Sequence, residues 1–174
     1  SIGSFQIVSN LTGFNGNVYF SADINNSGQE LWKSNGTVAG TQLLKDLNGV
    51  FGASLPCNFH VTPNILYFMA NTNDGWELWK TTGSNASTVQ VKDINPGNAG
   101  GVLSVYSVAN AGNIGNTLYF SANDGVTGYQ LWKSDGTDAG TVRISNLANG
   151  VDQNGAFPVV NGKVLVNNYA SEFF

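Results

Sequence analysis

Apolar and aromatic residues recur in this chain as short runs divided by turn-forming residues, and one arrangement of runs occurs three times. In each copy an aromatic run is followed by a Leu-Trp pair, and a threonine then opens another apolar run. The aromatic runs are 18–20, 66–68 and 118–120, the Leu-Trp pairs are 31–32, 78–79 and 131–132, and the threonines are Thr41, Thr88 and Thr141. The tryptophans are 47 and 53 residues apart. A period of about 50 residues indicates a repeat architecture.

Aligned on Leu-Trp, each copy is predicted to contain four β-strands. Asn35-Gly36 and Asp135-Gly136 favour tight turns with positive φ, and no segment has apolar residues at helical spacing over three turns. The predicted first strands are 7–14, 59–62, 103–108 and 157–160, and the second strands are 17–22, 65–70 and 117–122, with a weaker copy at 163–167. The third strands begin at Glu30, Glu77 and Gln130, and the fourth strands are 41–47, 88–94 and 141–147.

The adjacent large residues Leu31 and Trp32 point to opposite faces of a strand, so neither face of the sheet is simply solvated. A four-stranded antiparallel sheet that is buried on both faces and repeated in this way is typical of a β-propeller blade. A β-sandwich would alternate apolar and polar residues more cleanly. We therefore predict an all-β, β-propeller-like chain with a single domain over residues 1–174. Its three complete blades are expected at about 5–47, 55–94 and 102–147, with a partial fourth at about 156–174.

Composition narrows the range of partners. The formal net charge is −4 and the isoelectric point is near 4.6, which argues against nucleic acid, because phosphates require a basic surface. No apolar run reaches the length of a membrane span, so we expect no membrane insertion. Charged residues make up only 10%, and Gly and Asn are abundant. This composition favours a secreted or cell-surface protein.

A sequence motif connects the repeats to a known type. Residues 130–141 read Gln-Leu-Trp-Lys-Ser-Asp-Gly-Thr-Asp-Ala-Gly-Thr, residues 30–41 differ mainly by Asn35 for Asp, and residues 77–88 depart over 81–85. This pattern resembles the Glu-Leu-Trp-Lys-Ser-Asp-Gly-Thr-x-Ala-Gly-Thr repeat of bacterial secreted and surface proteins. The resemblance covers about 150 residues and implies propeller-like arrays in an extracellular setting. It implies no reaction, because repeat folds have many functions.

The ends of the chain are apolar, whereas terminal repeats normally have a polar capping face. We predict self-association through Phe5, Ile7, Phe173 and Phe174, with homo-oligomers or further copies of the repeat as partners. Four explanations stay open. The N-terminal strand completes the last blade, two chains pool their blades into one ring, strands are exchanged head to tail along a filament, or the chain is a fragment of a longer array.

Cys57 and His60 are the only cysteine and the only histidine. Their spacing suggests a nucleophile and base, but on a regular strand the two would lie on opposite faces. We therefore expect Cys57 to be a packed apolar residue and predict no catalytic residues. One His and one Cys are also too few for a typical zinc site.

Calcium is the cofactor that the sequence allows, although turn chemistry alone explains the same residues. The loop after each second strand is rich in oxygen ligands and in glycine. The candidate calcium ligands are Asp23, Asn25, Asp74 and Asp124. Their spacing does not match an EF-hand.

Sugar chemistry is the remaining possibility. Glu30 and Glu77 recur as the acidic residues that a glycosidase would need in pairs. Because they recur regularly, an architectural role is favoured. Trp76 lies outside the repeat register and is the best candidate for stacking on a sugar. With Glu30 and Glu77, it forms the predicted ligand-binding set.

The sequence thus predicts a non-enzymatic structural or adhesive protein of a surface, matrix or filament. The alternatives are a lectin-like carbohydrate-binding propeller and a fragment of a glycoside hydrolase propeller.

Overall fold

The computed structural model describes residues 5–24, 27–49, 52–97, 100–101, 111–152 and 156–166. Within these residues the chain forms antiparallel sheets of four, four, four and two strands, and none of the sheets closes into a barrel. The predicted all-β fold of repeated antiparallel sheets is confirmed. Among the described residues, no helix is long and apolar enough to cross a membrane.

Each sheet is a meander whose strands pair in chain order. Sheet 1 contains β1 (Phe5–Phe14), β2 (Asn17–Ile24), β3 (Glu30–Ser34) and β4 (Gln42–Lys45). Sheet 2 contains β5 (Cys57–Val61), β6 (Leu66–Thr72), β7 (Gly75–Thr81) and β8 (Val89–Lys92). Sheet 3 contains β9 (Gly112–Ile114), β10 (Thr117–Asn123), β11 (Tyr129–Ser134) and β12 (Val142–Arg143). Sheet 4 contains β13 (Val159–Val160) and β14 (Lys163–Val164).

The two-residue hairpin turns are not where the strongest sequence signals placed them. Asn15-Gly16 joins β1 to β2, and Asn161-Gly162 joins β13 to β14, with φ positive at all four residues. Both positions have the backbone that a type I′ turn requires. In contrast, Asn35-Gly36 begins a longer connection, 35–41, between β3 and β4. The prediction of a tight hairpin turn there is wrong.

Consecutive sheets pack face to face through apolar side chains. The cluster between sheets 1 and 2 joins Tyr19, Leu31 and Leu44 to Phe68 and Trp79. The next cluster repeats the same roles one unit later, with Tyr67, Leu78 and Val91 against Phe120 and Trp132. A smaller cluster, Val151, Phe157 and Val166, packs with Leu131 and Val164 between sheets 3 and 4. Sheet 2 is therefore covered on both faces, because alternate residues of its strands belong to different clusters.

The structure bears on two expectations, namely which segment forms the first strand of the third unit and which sheet the N-terminal strand joins. The predicted strand 103–108 lies outside the described residues, and the strand that pairs with β10 is β9. At the N-terminus, β1 pairs with β2 along its length, apart from irregularities at two points. Because β1 already belongs to sheet 1, it does not complete the last unit as one of the four explanations required.

Candidate functional site

The repeat motif forms a turn that satisfies its own polar groups. In the first unit, Asn35 Oδ1 accepts hydrogen bonds from Thr37 N at 3.1 Å and from Thr37 Oγ1 at 2.8 Å. The hydroxyl of Thr41 donates to Thr37 O at 2.8 Å and lies 2.7 Å from Ser34 Oγ. Gly40 is required because a Cβ there would collide with the Asn35 side chain. The motif is therefore a structural turn, closed by local side-chain hydrogen bonds.

The third unit builds the same turn with an aspartate. Asp135 Oδ1 accepts from Thr137 N at 2.8 Å and from Thr137 Oγ1 at 2.7 Å. Thr141 Oγ1 donates to Thr137 O at 2.6 Å and lies 2.8 Å from Ser134 Oγ. The hydrogen bonds from Thr137 are the main reason that the pKa of Asp135 is lowered.

Glu30 and Glu77 lie on the third strands of the first and second units. Each accepts hydrogen bonds from the segment of chain that follows its unit. Glu30 accepts from Leu47 N at 2.9 Å and from Ser54 N at 3.0 Å. Glu77 accepts from Ile94 N at 3.3 Å and from Gly101 N at 2.5 Å. The two glutamates are 5% and 0% exposed. Their carboxylates face backbone N–H groups inside the fold and are closed to a ligand, so their role is architectural.

Burial determines the protonation of these two carboxyls. It raises the pKa of Glu77 to about 7, although the N–H groups of Gly101 and Ile94 act in the opposite direction. Burial also raises the pKa of Glu30, against hydrogen bonds from Leu47 and Ser54. A desolvated carboxylate loses hydration that hydrogen bonds only partly replace, so its neutral form is favoured.

The predicted calcium ligands that the structure describes belong to three different units. Asp23 is on β2, Asp74 lies in the turn between β6 and β7, and Asp124 lies in the loop after β10, whereas Asn25 lies outside the described residues. Asp124 accepts from Val126 N at 3.0 Å and Thr127 N at 2.8 Å, and lies 3.8 Å from Arg143. Burial would raise the pKa of Asp124, but these contacts lower it overall. Among the described residues, no three His, Cys, Asp or Glu side chains come together as a metal site.

Cys57 and His60 lie on the same side of sheet 2, contrary to the prediction. Cys57 pairs with Met69 and His60 with Tyr67, because a register shift separates the two pairs. A bulge of this kind reverses the alternation of faces. His60 Nε2 lies 3.0 Å from Asn113 Oδ1, and burial lowers its pKa. Burial raises the pKa of Cys57 to about 11, which disfavours the thiolate that a nucleophile needs.

The tryptophans of the repeat divide into two groups. Trp79 and Trp132 belong to the clusters between sheets. Trp32 occupies the equivalent position on the face of sheet 1 that points away from sheet 2, and it is half-buried. Trp76, the predicted sugar platform, is half-buried and packs against the cluster between sheets 2 and 3.

A polar cavity of about 290 Å³ lies between the first and second units. It is lined by Asn48, Asn73, Asp74, Trp79 and Gln90, among others. The indole N–H of Trp79 is buried and has no hydrogen-bond partner within the described part of the chain. Sequence analysis missed this cavity because its residues come from separate strands and loops of two units.

At the interfaces between sheets 1 and 2 and between sheets 2 and 3, a tyrosine crosses to the next unit and packs on a glycine there. A Cβ on Gly83 would lie 2.9 Å from Tyr19 Oη, and a Cβ on Gly136 would lie 3.2 Å from Tyr67 Oη. Tyr67 Oη also lies 3.2 Å from Asn116 O and 3.4 Å from Ser134 O, both of which are acceptors. Burial raises the pKa of Tyr67 to about 12. Sequence analysis overlooked these tyrosines, although each stands at the centre of an aromatic run.

Lysine and amide side chains also form polar contacts across the interfaces between sheets 1 and 2 and between sheets 2 and 3. Lys33 Nζ donates to Gly83 O at 2.9 Å, and Lys45 Nζ donates to Thr88 O at 2.7 Å. Asn85 Nδ2 returns a hydrogen bond to Leu44 O at 3.0 Å. Between sheets 2 and 3, Lys92 instead pairs with Asp138 at 3.0 Å.

The outer face of sheet 1 is an apolar groove, and its described lining does not include Ile7, one of the predicted terminal residues. Val8, Leu11 and Val18 line a cavity of about 310 Å³ and are 46%, 66% and 39% exposed. Ile7 is 47% exposed and pairs with Asp23. Phe5 lies on β1, but the structure does not describe its side chain. Residues 173–174 lie outside the described residues.

Comparison of the chain with protein-family models and with curated proteins gives no match. The residues described above are therefore the basis for assigning a function.

Proposed function

We propose that this chain is a non-enzymatic extracellular structural or adhesive protein, a subunit of a surface, matrix or filament, that self-associates through the sheets at the ends of its stack. The observation that carries the proposal is the open groove on sheet 1. In sheets 2 and 3 the equivalent face is buried against the preceding sheet, whereas here Val8, Leu11 and Val18 are exposed. Exposed apolar surface of this kind favours association.

The hydrogen bonds made by the other candidate groups support a structural role. The recurring glutamates bind backbone N–H groups, and the repeat motif closes its own turn. Sheets that pack face to face through Trp79 and Trp132 favour blades of a propeller-like array. The extracellular location follows from the composition and from the resemblance of the motif.

Sedimentation velocity over a wide range of protein concentration tests the proposal. We expect the weight-average sedimentation coefficient to rise with concentration for the wild-type chain. Val18→Glu, which places a charge in the groove, is expected to abolish the rise. Val126→Glu is the matched control, because Val126 is 88% exposed and lies in a loop of the third unit. A wild-type chain that stays monomeric throughout would refute self-association.

A carbohydrate-binding role is the second candidate, and the polar cavity beside Trp79 favours it. Its amide and carboxylate groups match the donors and acceptors of a sugar hydroxyl. A glycan array on wild type and on Gln90→Ala distinguishes the two functions. Glycan binding that Gln90→Ala removes would support the second, and a blank array alongside concentration-dependent assembly would support the first.

A further inference from the structure

The polar cavity between the first and second units has an unsatisfied hydrogen-bond donor among its lining residues. Trp79 lines the cavity and is 8% exposed, and its indole N–H has no partner within the described part of the chain. The ring itself stacks on Phe68, with 6.4 Å between the centroids, inside the core between sheets 1 and 2. Because a buried donor without an acceptor costs free energy, the N–H indicates a place for an acceptor in the cavity.

Amide side chains form the walls of the same cavity. Gln90 lies opposite Trp79 on the adjacent strand, and Asn48 belongs to the chain that leaves the first unit. Both are half-buried, and within the described residues neither amide has a hydrogen-bond partner. Asn73 and Asp74 are exposed and form the mouth. The cavity therefore presents several polar groups that the chain itself leaves unused.

The third unit uses the equivalent groups for its own contacts. Arg143, the counterpart of Gln90, lies 3.8 Å from the carboxylate of Asp124. Asn95, the counterpart of Asn48, donates to a backbone carbonyl at 3.2 Å. The repeat by itself thus does not require free amides at these positions, and the second unit is the one that leaves them available.

The chemistry of the lining selects the class of ligand. An indole N–H needs an acceptor, amides both donate and accept, and a carboxylate accepts, and hydroxyl groups match all three. An anion is disfavoured, because the described lining has no cation and Asp74 stands at the mouth with Asp93 nearby. Burial, and then the charge of Asp74, raise the pKa of Asp93. A cation is disfavoured by the positive edge of the indole. A neutral molecule with several hydroxyls remains.

The size of the cavity limits how much of such a molecule enters. Its volume of about 290 Å³ is at the lower end of the range for ligand sites, which suits one sugar ring. Leu47 offers an apolar contact to the C–H face of the ring. Because the residues at the mouth are exposed, the rest of a glycan can extend into solvent.

On the basis of the carbohydrate-binding role given above as the second candidate, we infer that this cavity binds one neutral sugar residue of a glycan, with a sugar hydroxyl accepting a hydrogen bond from the Trp79 indole N–H. The amides of Gln90 and Asn48 bond further hydroxyls, and Asp74 accepts from one at the mouth. The two carboxylates Asp74 and Asp93 exclude acidic sugars by like-charge repulsion.

NMR of the indole N–H signals tests the inference on the full chain. The signals are followed during titration with the methyl glycosides of glucose, galactose and mannose, and the Trp79 signal is identified by its loss in Trp79→Phe. We expect at least one glycoside to move the Trp79 signal. The signal of Trp132, whose N–H is likewise buried without a described partner, is expected to stay in place.

A matched pair of substitutions locates the binding site. Gln90→Leu is expected to weaken binding of that glycoside at least about tenfold, because hydrogen bonds to the sugar are lost. Leucine suits the sheet, since Leu43 stands opposite Trp32 in the first unit. Arg143→Leu makes the equivalent change in the third unit and is expected to leave binding unchanged. Circular dichroism verifies that both variants are folded.

A third substitution examines the selection against acidic sugars. The wild-type chain is expected to bind the uronic acid counterpart of the same glycoside at least about tenfold more weakly. Asp74→Asn is expected to reduce that difference to about threefold, because one repelling charge is removed. Equal binding of the neutral and the acidic sugar by the wild-type chain would overturn the assignment to neutral sugars.

The outcomes separate the inference from the function on which it rests. A blank glycan array together with unmoved indole signals would overturn both. A positive array would leave carbohydrate binding standing, but the inference would fail if none of the three glycosides moved the Trp79 signal. It would also fail if Gln90→Leu and Arg143→Leu weakened binding equally. Self-association through sheet 1 is independent of all these results.

Discussion

The second and third units bind the segment of chain that leaves the unit through different side chains at equivalent positions. Glu77 accepts hydrogen bonds from the N–H groups of Ile94 and Gly101. Its counterpart Gln130 accepts from Leu147 N at 2.9 Å and donates to Leu147 O at the same distance. The position therefore requires an acceptor for the chain leaving the unit, and charge is dispensable. What differs is the response to pH, because only the carboxyl titrates.

The two units also differ in what covers their tyrosines. Tyr67 is enclosed between sheets 2 and 3, whereas Tyr119 faces a groove. The same residue thus serves as core in one unit and as part of an open surface in the next. Four predictions test this comparison.

The largest expected effect is at the enclosed tyrosine. Tyr67→Ala is expected to lower the free energy of unfolding by about 4 kcal/mol, because it leaves a cavity in a packed interface. Tyr119→Ala is expected to cost about 1 kcal/mol, since its site is partly open. Urea denaturation monitored by tryptophan fluorescence measures both. Equal losses would mean that sheet 3 is covered as completely as sheet 2.

The pH dependence of stability follows from Glu77. Its pKa is raised from an ordinary value of 4.5 to about 7 in the fold, so the folded state binds the proton more tightly than the unfolded state does. The stabilisation is complete below about pH 4.5 and is lost as the pH rises through about 7. We expect a decline on the order of 2 to 3 kcal/mol over this range.

Substitutions at the two equivalent positions isolate that decline. In Glu77→Gln the part of the slope due to this residue disappears, whatever the absolute stability of the variant. Gln130→Glu is expected to introduce a second decline of the same sign. Urea midpoints between pH 5 and 8 provide the measurement, and a wild-type slope retained in Glu77→Gln would exclude Glu77 as its source.

The repeat turn is expected to behave alike in both units. Thr88 Oγ1 donates to Ser84 O at 2.7 Å and lies 2.9 Å from Thr81 Oγ1. Thr88→Val and Thr141→Val should each lower the free energy of unfolding by about 1.5 kcal/mol, because buried partners lose their hydrogen bonds. Thermal and urea unfolding check the pair. A much smaller loss in one unit would show that its turn is held by other contacts.

The smallest effect is expected at the ion pair between the two units. Lys92 and Asp138 are 28% and 74% exposed, and exposed pairs contribute little. Lys92→Met should cost no more than about 0.5 kcal/mol, and the difference from wild type should shrink as salt is added. Lys45→Met, which removes a hydrogen bond to a backbone carbonyl, should show less dependence on salt.

Much of the fold could be predicted from the sequence because β-strands carry local signals. The aromatic runs and the Leu-Trp pairs correctly located second and third strands, and the tryptophans Trp79 and Trp132 of those pairs are core residues. Local signals were less reliable for turns. Asn35-Gly36 reads as a two-residue turn, but the threonine hydroxyls of its longer loop impose another geometry.

The candidate site was harder to predict, because its residues acquire their roles through contacts between units. A bulge places Cys57 and His60 on one side of sheet 2, and no local signal reveals it. Glu30 and Glu77 were predicted as ligand-binding residues, yet their partners lie 17 and 24 positions farther along the chain.

The sequence by itself determined the period, the strand content and the apolar character of both faces of each sheet, since these depend on residue type and on alternation along a strand. Only the tertiary structure decided which faces are covered. Tyr67 and Tyr119 stand in the same motif, and the packing of a following sheet makes one a core residue and leaves the other beside a groove. Burial is a property of the neighbours that a side chain meets, and identical motifs meet different neighbours at the ends of a stack.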